Sequence, residues 1–194
     1  MIKGSDARNP EHPAGQIFVD RWSPRAMSGE ALPDETLQIL FEAARWAPSS
    51  MNNQPWRMLY ATRSGSYWPL FYDLLVDANK VWCVNAAALV VVISKTTFDN
   101  GKPCRTHTYD TGAAWMSLAL QGSMLGLVVH GMQGFDYDRA RIDLQIPEEY
   151  QVEAMAAIGW PGQADQLPEQ LQARELPSDR RSQQLSVCEG PFCL

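Results

Sequence analysis

The sequence is poor in histidine, in cations and in long apolar runs. Three histidines (His12, His107, His130) leave a His-based metal centre few ligands to draw on. Lys and Arg total 16 against 22 Asp and Glu, a formal charge of −6. That balance argues against a nucleic-acid or anionic-membrane partner. No stretch reaches the ~18 consecutive apolar residues of a membrane-spanning helix. The opening MIKGSDARNPEHPAG has no apolar core of the kind a secretory leader needs, so a cytoplasmic location is expected. Cys83, Cys104, Cys188 and Cys193 are scattered without CxxC spacing, which fits reduced thiols better than a disulfide framework or a zinc site. There is no GxGxxG, no GxxxxGK[ST], no HExxH and no GxSxG. No Ser or Cys stands in a nucleophile context beside a histidine, and no paired catalytic carboxylates can be argued.

What is present suits one domain. The chain has 194 residues and is 45% hydrophobic, enough for a sizeable core. Residues 1–15 are polar and read as a loose arm. From Pro33, Leu37, Leu40, Phe41 and Ala44 recur at helical spacing behind Asp34 and Glu35, and Pro48 closes that helix. Strands are expected at Arg57–Thr62, Ala87–Ser94, Gly126–His130 and Glu153–Trp160, with the second buried on both faces. A helix is expected over Trp68–Asp77. Another, over Asp110–Leu125, is apolar almost all round and should be central and buried. Strands alternating with helices argue for a three-layer α/β/α domain of the α/β or α+β class. The stretch 162–194 is thinly apolar, with a strand-like piece at Leu185–Cys188. An arm that embraces a second subunit is the natural use for it.

Three polar words stand out against this background. In APSSMNNQPWR (47–57), six of eleven side chains can make directed hydrogen bonds and only Arg57 is charged. In RWSPR (21–25), Arg21, Ser23 and Arg25 alternate, so an extended backbone points all three one way. Two guanidiniums and a hydroxyl make a phosphate clamp, although a solvated charged loop would read the same. In PSDRRSQQLSV (177–187), Arg180 and Arg181 taken alone read as surface.

Together these words resemble the FMN-dependent nitroreductases. RWSPR, EAARWAPSSMNNQPWR (42–57), DTGAAWMSLALQGSMLGL (110–127), HGMQGFD (130–136), IGWPG (158–162) and PSDRRSQQLSV carry the likeness across residues 17–190. The resemblance implies a single nitroreductase-like domain over 1–194 with a central mixed sheet flanked by helices. It also implies a homodimer with FMN at the interface and C-terminal arms exchanged between subunits. Arg21, Ser23 and Arg180 would hold the flavin phosphate, with Trp22 and Arg181 also binding the cofactor. Arg25 and Asn79 would meet the pyrimidine edge. Pro48, Ser49, Ser50 and Asn52 would reach the flavin of the other subunit. Gln133 and Gly134 would lie beside flavin N5, with Gln133 standing where most relatives have an acidic residue. The implied activity is ping-pong hydride transfer from NADH or NADPH through FMN to a nitroaromatic, quinone or similar electron-poor acceptor. The alternative is a dimeric flavin-binding protein for storage or sensing, without useful turnover.

Overall fold

The computed structural model describes residues 2–192, so Cys193 lies outside the described residues. Four strands form one sheet in the order β1-β2-β4-β3. They are β1 (Trp56–Thr62), β2 (Ala88–Lys95), β3 (Val128–Met132) and β4 (Tyr150–Gly159). All three pairings are antiparallel, where the family resemblance implies a mixed sheet. A parallel pair needs a crossover that returns the chain in the same direction, and no connection between neighbouring strands among the described residues does so.

The second strand organises the core. Its residues from Ala88 to Ser94 are all buried, and alternation sends them to opposite faces. Ala88, Val90 and Val92 pack with α2 (Asp34–Arg45) and α5 (His107–Met124). Leu89, Val91 and Ile93 pack on the other face with residues of α3 (Trp68–Tyr72), α4 (Asp77–Cys83) and α6 (Tyr137–Asp143). The three layers are therefore helices, sheet, helices. Two short helices, α1 (Gln16–Asp20) and α7 (Glu169–Gln172), lie near the ends of the chain. No helix among the described residues is long and apolar enough to cross a membrane.

The helix α2 buries Leu37, Leu40 and Ala44, a stripe at helical spacing, with Asp34 and Glu35 in its first turn and Arg45 in its last. The expected central helix differs from its sequence reading. α5 buries one stripe through Ala114, Leu118, Ala119 and Gly122 but leaves Tyr109 80% exposed. Gly122 is what seats it: a Cβ there would come within 2.4 Å of Val129 Cγ2 on β3.

The expected helix over Trp68–Asp77 is two helices with a break. Backbone bonds from Val76 N to Gly134 O (3.1 Å) and from Asp136 N to Leu74 O (2.9 Å) take the chain out of helix at that point. The break carries α4 to the loop that follows β3.

Both ends of the chain are fastened in part. Arg8 donates to Val19 O and Arg21 O at 2.7 Å each and to Ser178 O at 2.8 Å, and Trp22 Nε1 donates to Ile2 O at 2.7 Å. Beyond β4, Leu167, Glu175 and Pro177 are buried on the chain's own body. The strand-like piece at Leu185–Cys188 is not a strand. Gln183–Leu185 forms a 3-10 turn, and Leu185 and Val187 are exposed, because no sheet edge of the same chain receives them.

Candidate functional site

The segment after α1 runs extended alongside the end of β4. Ser28 N donates to Trp160 O (2.9 Å), Gly162 N donates to Ala26 O (2.9 Å), and Met27 bridges Pro161. This holds residues 21–25 on the rim of a cavity of about 380 Å³. Arg21, Trp22, Ser23 and Arg25 all line it, as the alternation in RWSPR predicts for three of them. Arg180 lines it from the C-terminal side, whereas Arg181 faces a neighbouring groove instead.

The sequence reading missed five lining residues, Arg8, His130, Arg174, Leu176 and Ser178, three of which carry ionisable side chains. Arg8 and Arg174 raise the guanidiniums on the wall to five, and His130 supplies an imidazole. Nothing near Arg8 or Arg174 marks them as site residues. His130 does open the word HGMQGFD, which could have placed it.

The wall is strongly electropositive: none of its described residues is a carboxylate. Arg21 donates to Ser23 Oγ at 3.2 Å, yet its Nε is buried without a hydrogen-bond partner among the described residues. Burial lowers the Arg21 pKa, and the nearby Arg8 and Arg180 charges lower it further. A buried donor left unpaired among like charges is a site that an anion would complete.

His130 is fixed as a neutral group. Its Nδ1 lies 2.8 Å from Pro24 O, which can only accept, so Nδ1 carries the hydrogen. Burial pushes its pKa down to about 4, opposed by that bond and helped by Arg25 and Arg21. The imidazole packs on Trp82 with ring centroids 4.6 Å apart.

Through Trp82 the cavity adjoins a second patch. Trp82 Nε1 donates to Asn79 Oδ1 at 3.3 Å, and Asn79 Nδ2 donates to Gly134 O at 3.0 Å. The structure thus brings Asn79 and Gly134 together, beside the exposed Gln133. A Cβ on Gly134 would fall 2.5 Å from Asn79 Nδ2, so a larger residue there would displace the Asn79 side chain.

The turn Pro48–Asn52 is elsewhere. None of its residues lines the cavity of the same chain. Met51, Asn52 and Gln54 all have φ near +50°, the left-handed region that non-glycine residues avoid. Such a run persists only where its surroundings enforce it. Here the buried Asp110 of α5 accepts from Ser50 N (3.1 Å), and Ser49 Oγ accepts from Gln54 N (3.0 Å). Gln54 also donates to Asn52 O at 3.2 Å, and Trp56 sits in the core, so those two serve the turn and the packing. Met51 and Asn52 face outward.

His107 belongs to a separate polar cluster. Its Nδ1 lies 2.7 Å from the buried Ser94 Oγ, which donates to Glu153. Glu153 is the extra residue of a bulge in β4, opposite the step from Val92 to Ile93. This partly buried imidazole has its Nδ1 partners within that cluster and does not line the cavity.

A family model described as the nitroreductase family matches residues 19–81. Two curated proteins share the printed name "Putative NADH dehydrogenase/NAD(P)H nitroreductase". The one from Streptomyces coelicolor is 34% identical over 59 residues, 30% of this chain and only 29% of its own length. The one from Rhodopseudomonas palustris is 25% identical over 147 residues, 66% of this chain and 74% of its own. A nitroreductase-family structure from Clostridium difficile 630 superposes with a TM-score of 0.69 at 18% identity, covering 91% of this chain and 97% of that one, which speaks for the fold. A solved structure described as an oxidoreductase containing FMN superposes with a TM-score of 0.93 at 44% identity, over 96% of each chain. With that likeness along its whole length and the family model on its first strand and flanking helices, the chain belongs to the nitroreductase family.

Proposed function

We propose that the chain is an FMN-dependent NAD(P)H oxidoreductase, working as a cytoplasmic homodimer with FMN at the subunit interface. The observation that carries this reading is the cavity wall: five guanidiniums, no carboxylate, and a buried Arg21 Nε awaiting an acceptor. A phosphate monoester meets that demand, because guanidinium offers it charge-assisted, often bidentate bonds. The neighbouring Asn79–Gly134 patch offers what a flat, uncharged, carbonyl-edged ring requires. The residues present therefore fit FMN.

In this reading Arg21, Ser23 and Arg180 hold the phosphate, with Trp22 and Arg181 flanking them. Arg25 and Asn79 orient the pyrimidine edge. Gln133 and Gly134 border the reactive edge, with backbone N–H groups as donors. Pro48, Ser49, Ser50 and Asn52 reach the flavin held by the other subunit. The outward-facing, conformationally forced turn and the exposed Tyr109 and Met124 of α5 support that division of labour. The stretch 162–194 serves as the arm that clasps the partner, and most of its residues between Ser178 and Phe192 are exposed on their own chain.

The chemistry FMN supplies when bound is two-electron transfer, from NADH or NADPH to a nitroaromatic, quinone or similarly electron-poor acceptor. The chain itself binds and orients. Its guanidiniums neutralise the phosphate, and His130, uncharged above about pH 4, adds no further cation beside them. Two measurements test the proposal. The chromophore released from purified protein should have the FMN spectrum at one per chain. Adding NADH or NADPH without air should bleach the yellow protein within seconds. A colourless protein that binds no added FMN refutes the cofactor; a yellow protein that never bleaches leaves storage or sensing as its role.

A further inference from the structure

We propose that Glu175 is a positioning residue that holds Arg25 at the cavity wall and offsets its charge there. In this way it sets how strongly the site favours reduced over oxidised flavin. The inference rests on the FMN reading above. Glu175 follows α7 and lies 150 residues from Arg25 in sequence, between Arg174 and Leu176, which both line the cavity. Its Oε1 accepts from Arg25 N at 2.6 Å and from Ala26 N at 2.8 Å. Its Oε2 lies 3.8 Å from Arg25 Nη1, and its side chain is 4% exposed.

A purely structural staple would explain only half of this. Two N–H groups on one oxygen could be met equally well by an amide. The other oxygen is buried and makes no hydrogen bond among the described residues. Burying a carboxylate is costly unless a counter-charge faces it. The guanidinium of Arg25 is that counter-charge, and it is the feature a staple does not need.

The pairing is selective. Arg8, Arg21, Arg174 and Arg180 line the same cavity, and among the described residues none of them makes an ion pair with a carboxylate; Asp179 acts on Arg8 only from outside ion-pair range. The unopposed cations stand where a phosphate would sit, and a phosphate keeps its charge throughout turnover. The opposed cation is the one assigned to the ring edge, where charge rises and falls with each redox cycle. An unopposed guanidinium there would hold the reduced form too tightly and weaken the push toward the acceptor. A carboxylate behind it turns a point charge into a short dipole, whose effect on the ring is smaller.

The test separates charge from shape. Glu175→Gln keeps an acceptor for both N–H groups and removes the charge. The flavin midpoint potential is then read by spectroelectrochemistry against dyes of known potential. Reduced-over-oxidised preference should rise about three- to tenfold, which is up to about 30 mV for a two-electron couple. Oxidised FMN affinity and the thermal midpoint of the apoprotein should stay near those of the parent. The double variant Arg25→Gln/Glu175→Gln buries neither charge, so it remains available if Glu175→Gln fails to fold. Its midpoint should return to within about threefold of the parent in the same preference, whereas Arg25→Gln alone should fall. A midpoint in Glu175→Gln that is unmoved or lowered overturns the proposal, as does a double variant that falls as far as Arg25→Gln. A parent protein that binds no FMN sinks the cofactor reading together with this one; bound flavin with an unmoved midpoint sinks this one alone.

Discussion

Replacing Arg21 by Ala should move binding and stability in opposite directions. In the ligand-free chain the Arg21 guanidinium has one weak side-chain bond, to Ser23 Oγ at 3.2 Å, and a buried Nε without a partner. An unsatisfied buried donor costs about 1–3 kcal/mol. Burial lowers the Arg21 pKa first, and like-charge repulsion from Arg8 and Arg180 lowers it further. Deleting the side chain removes both penalties and forfeits some packing of its aliphatic stem. The apoprotein should therefore unfold at the same temperature or up to about 4 °C higher, at roughly 2–4 °C per kcal/mol for a chain of this size. FMN binding should weaken, since a hydrogen bond from a charged donor to phosphate is worth about 1.5–3 kcal/mol, or about 10- to 150-fold in Kd. The assay pairs a flavin-fluorescence titration of apoprotein with thermal unfolding in the absence of FMN. Arg21→Lys should recover part of the affinity by restoring the charge without the fork. An apoprotein melting 5 °C lower with Kd unchanged within about twofold would make Arg21 a residue of the fold and refute the phosphate assignment.

The other predictions follow from the same geometry. In solution the 21.7 kDa chain should sediment as a dimer at every concentration that retains flavin, with an interface above roughly 2,000 Å²; a flavin-loaded monomer contradicts the divided site. Gly134→Ala places a Cβ 2.5 Å from Asn79 Nδ2 and 3.1 Å from Val76 Cγ2, so Asn79 must release Gly134 O. The cost should be about 1–3 kcal/mol of stability with weaker FMN binding, and a variant equal to the parent in both would place the contact outside the site. His130 protonates near pH 6.5 when unfolded and near 4 when folded, so the unfolded state binds the extra proton between those values. Stability should fall by roughly 2–3 kcal/mol as pH drops from 6.5 to about 4 and gain nothing from His130 above 6.5. His130→Asn retains a donor for Pro24 O and does not titrate, so its thermal midpoint should drop less than the parent's between pH 7 and 4.5; equal drops would show that His130 is not the buried group.

Local signals were legible wherever one element decides its own environment. The run AALVVVIS reads as a strand buried on both faces because β-branched residues on both parities have nowhere else to go, and β2 occupies it within a residue at each end. α2 is equally plain, from its apolar stripe and the proline beyond it. Errors arise where a partner across the fold decides. Trp68–Asp77 has helical periodicity, but backbone pairing with residues 134–136 breaks the helix, and no pattern within the segment announces that pairing. Leu185–Cys188 has strand composition, yet a strand needs an edge to join, and its own chain presents none to it.

The site divides along the same line. Alternation in RWSPR suffices to aim Arg21, Ser23 and Arg25 one way, because an extended segment converts spacing directly into direction. Glu175 left no such trace. It is one of 22 acidic residues in a polar stretch, and its meaning depends on a fold that brings it against Arg25 from 150 positions away. A carboxylate in a run of charge reads as solvated surface until burial is known, because exposure and charge together cost nothing. Once buried against one guanidinium out of five, the same residue distinguishes that guanidinium from the rest. The cations of a binding wall can thus be found from composition and alternation, whereas which of them act as full charges is decided by what stands behind the wall, and only the fold supplies that.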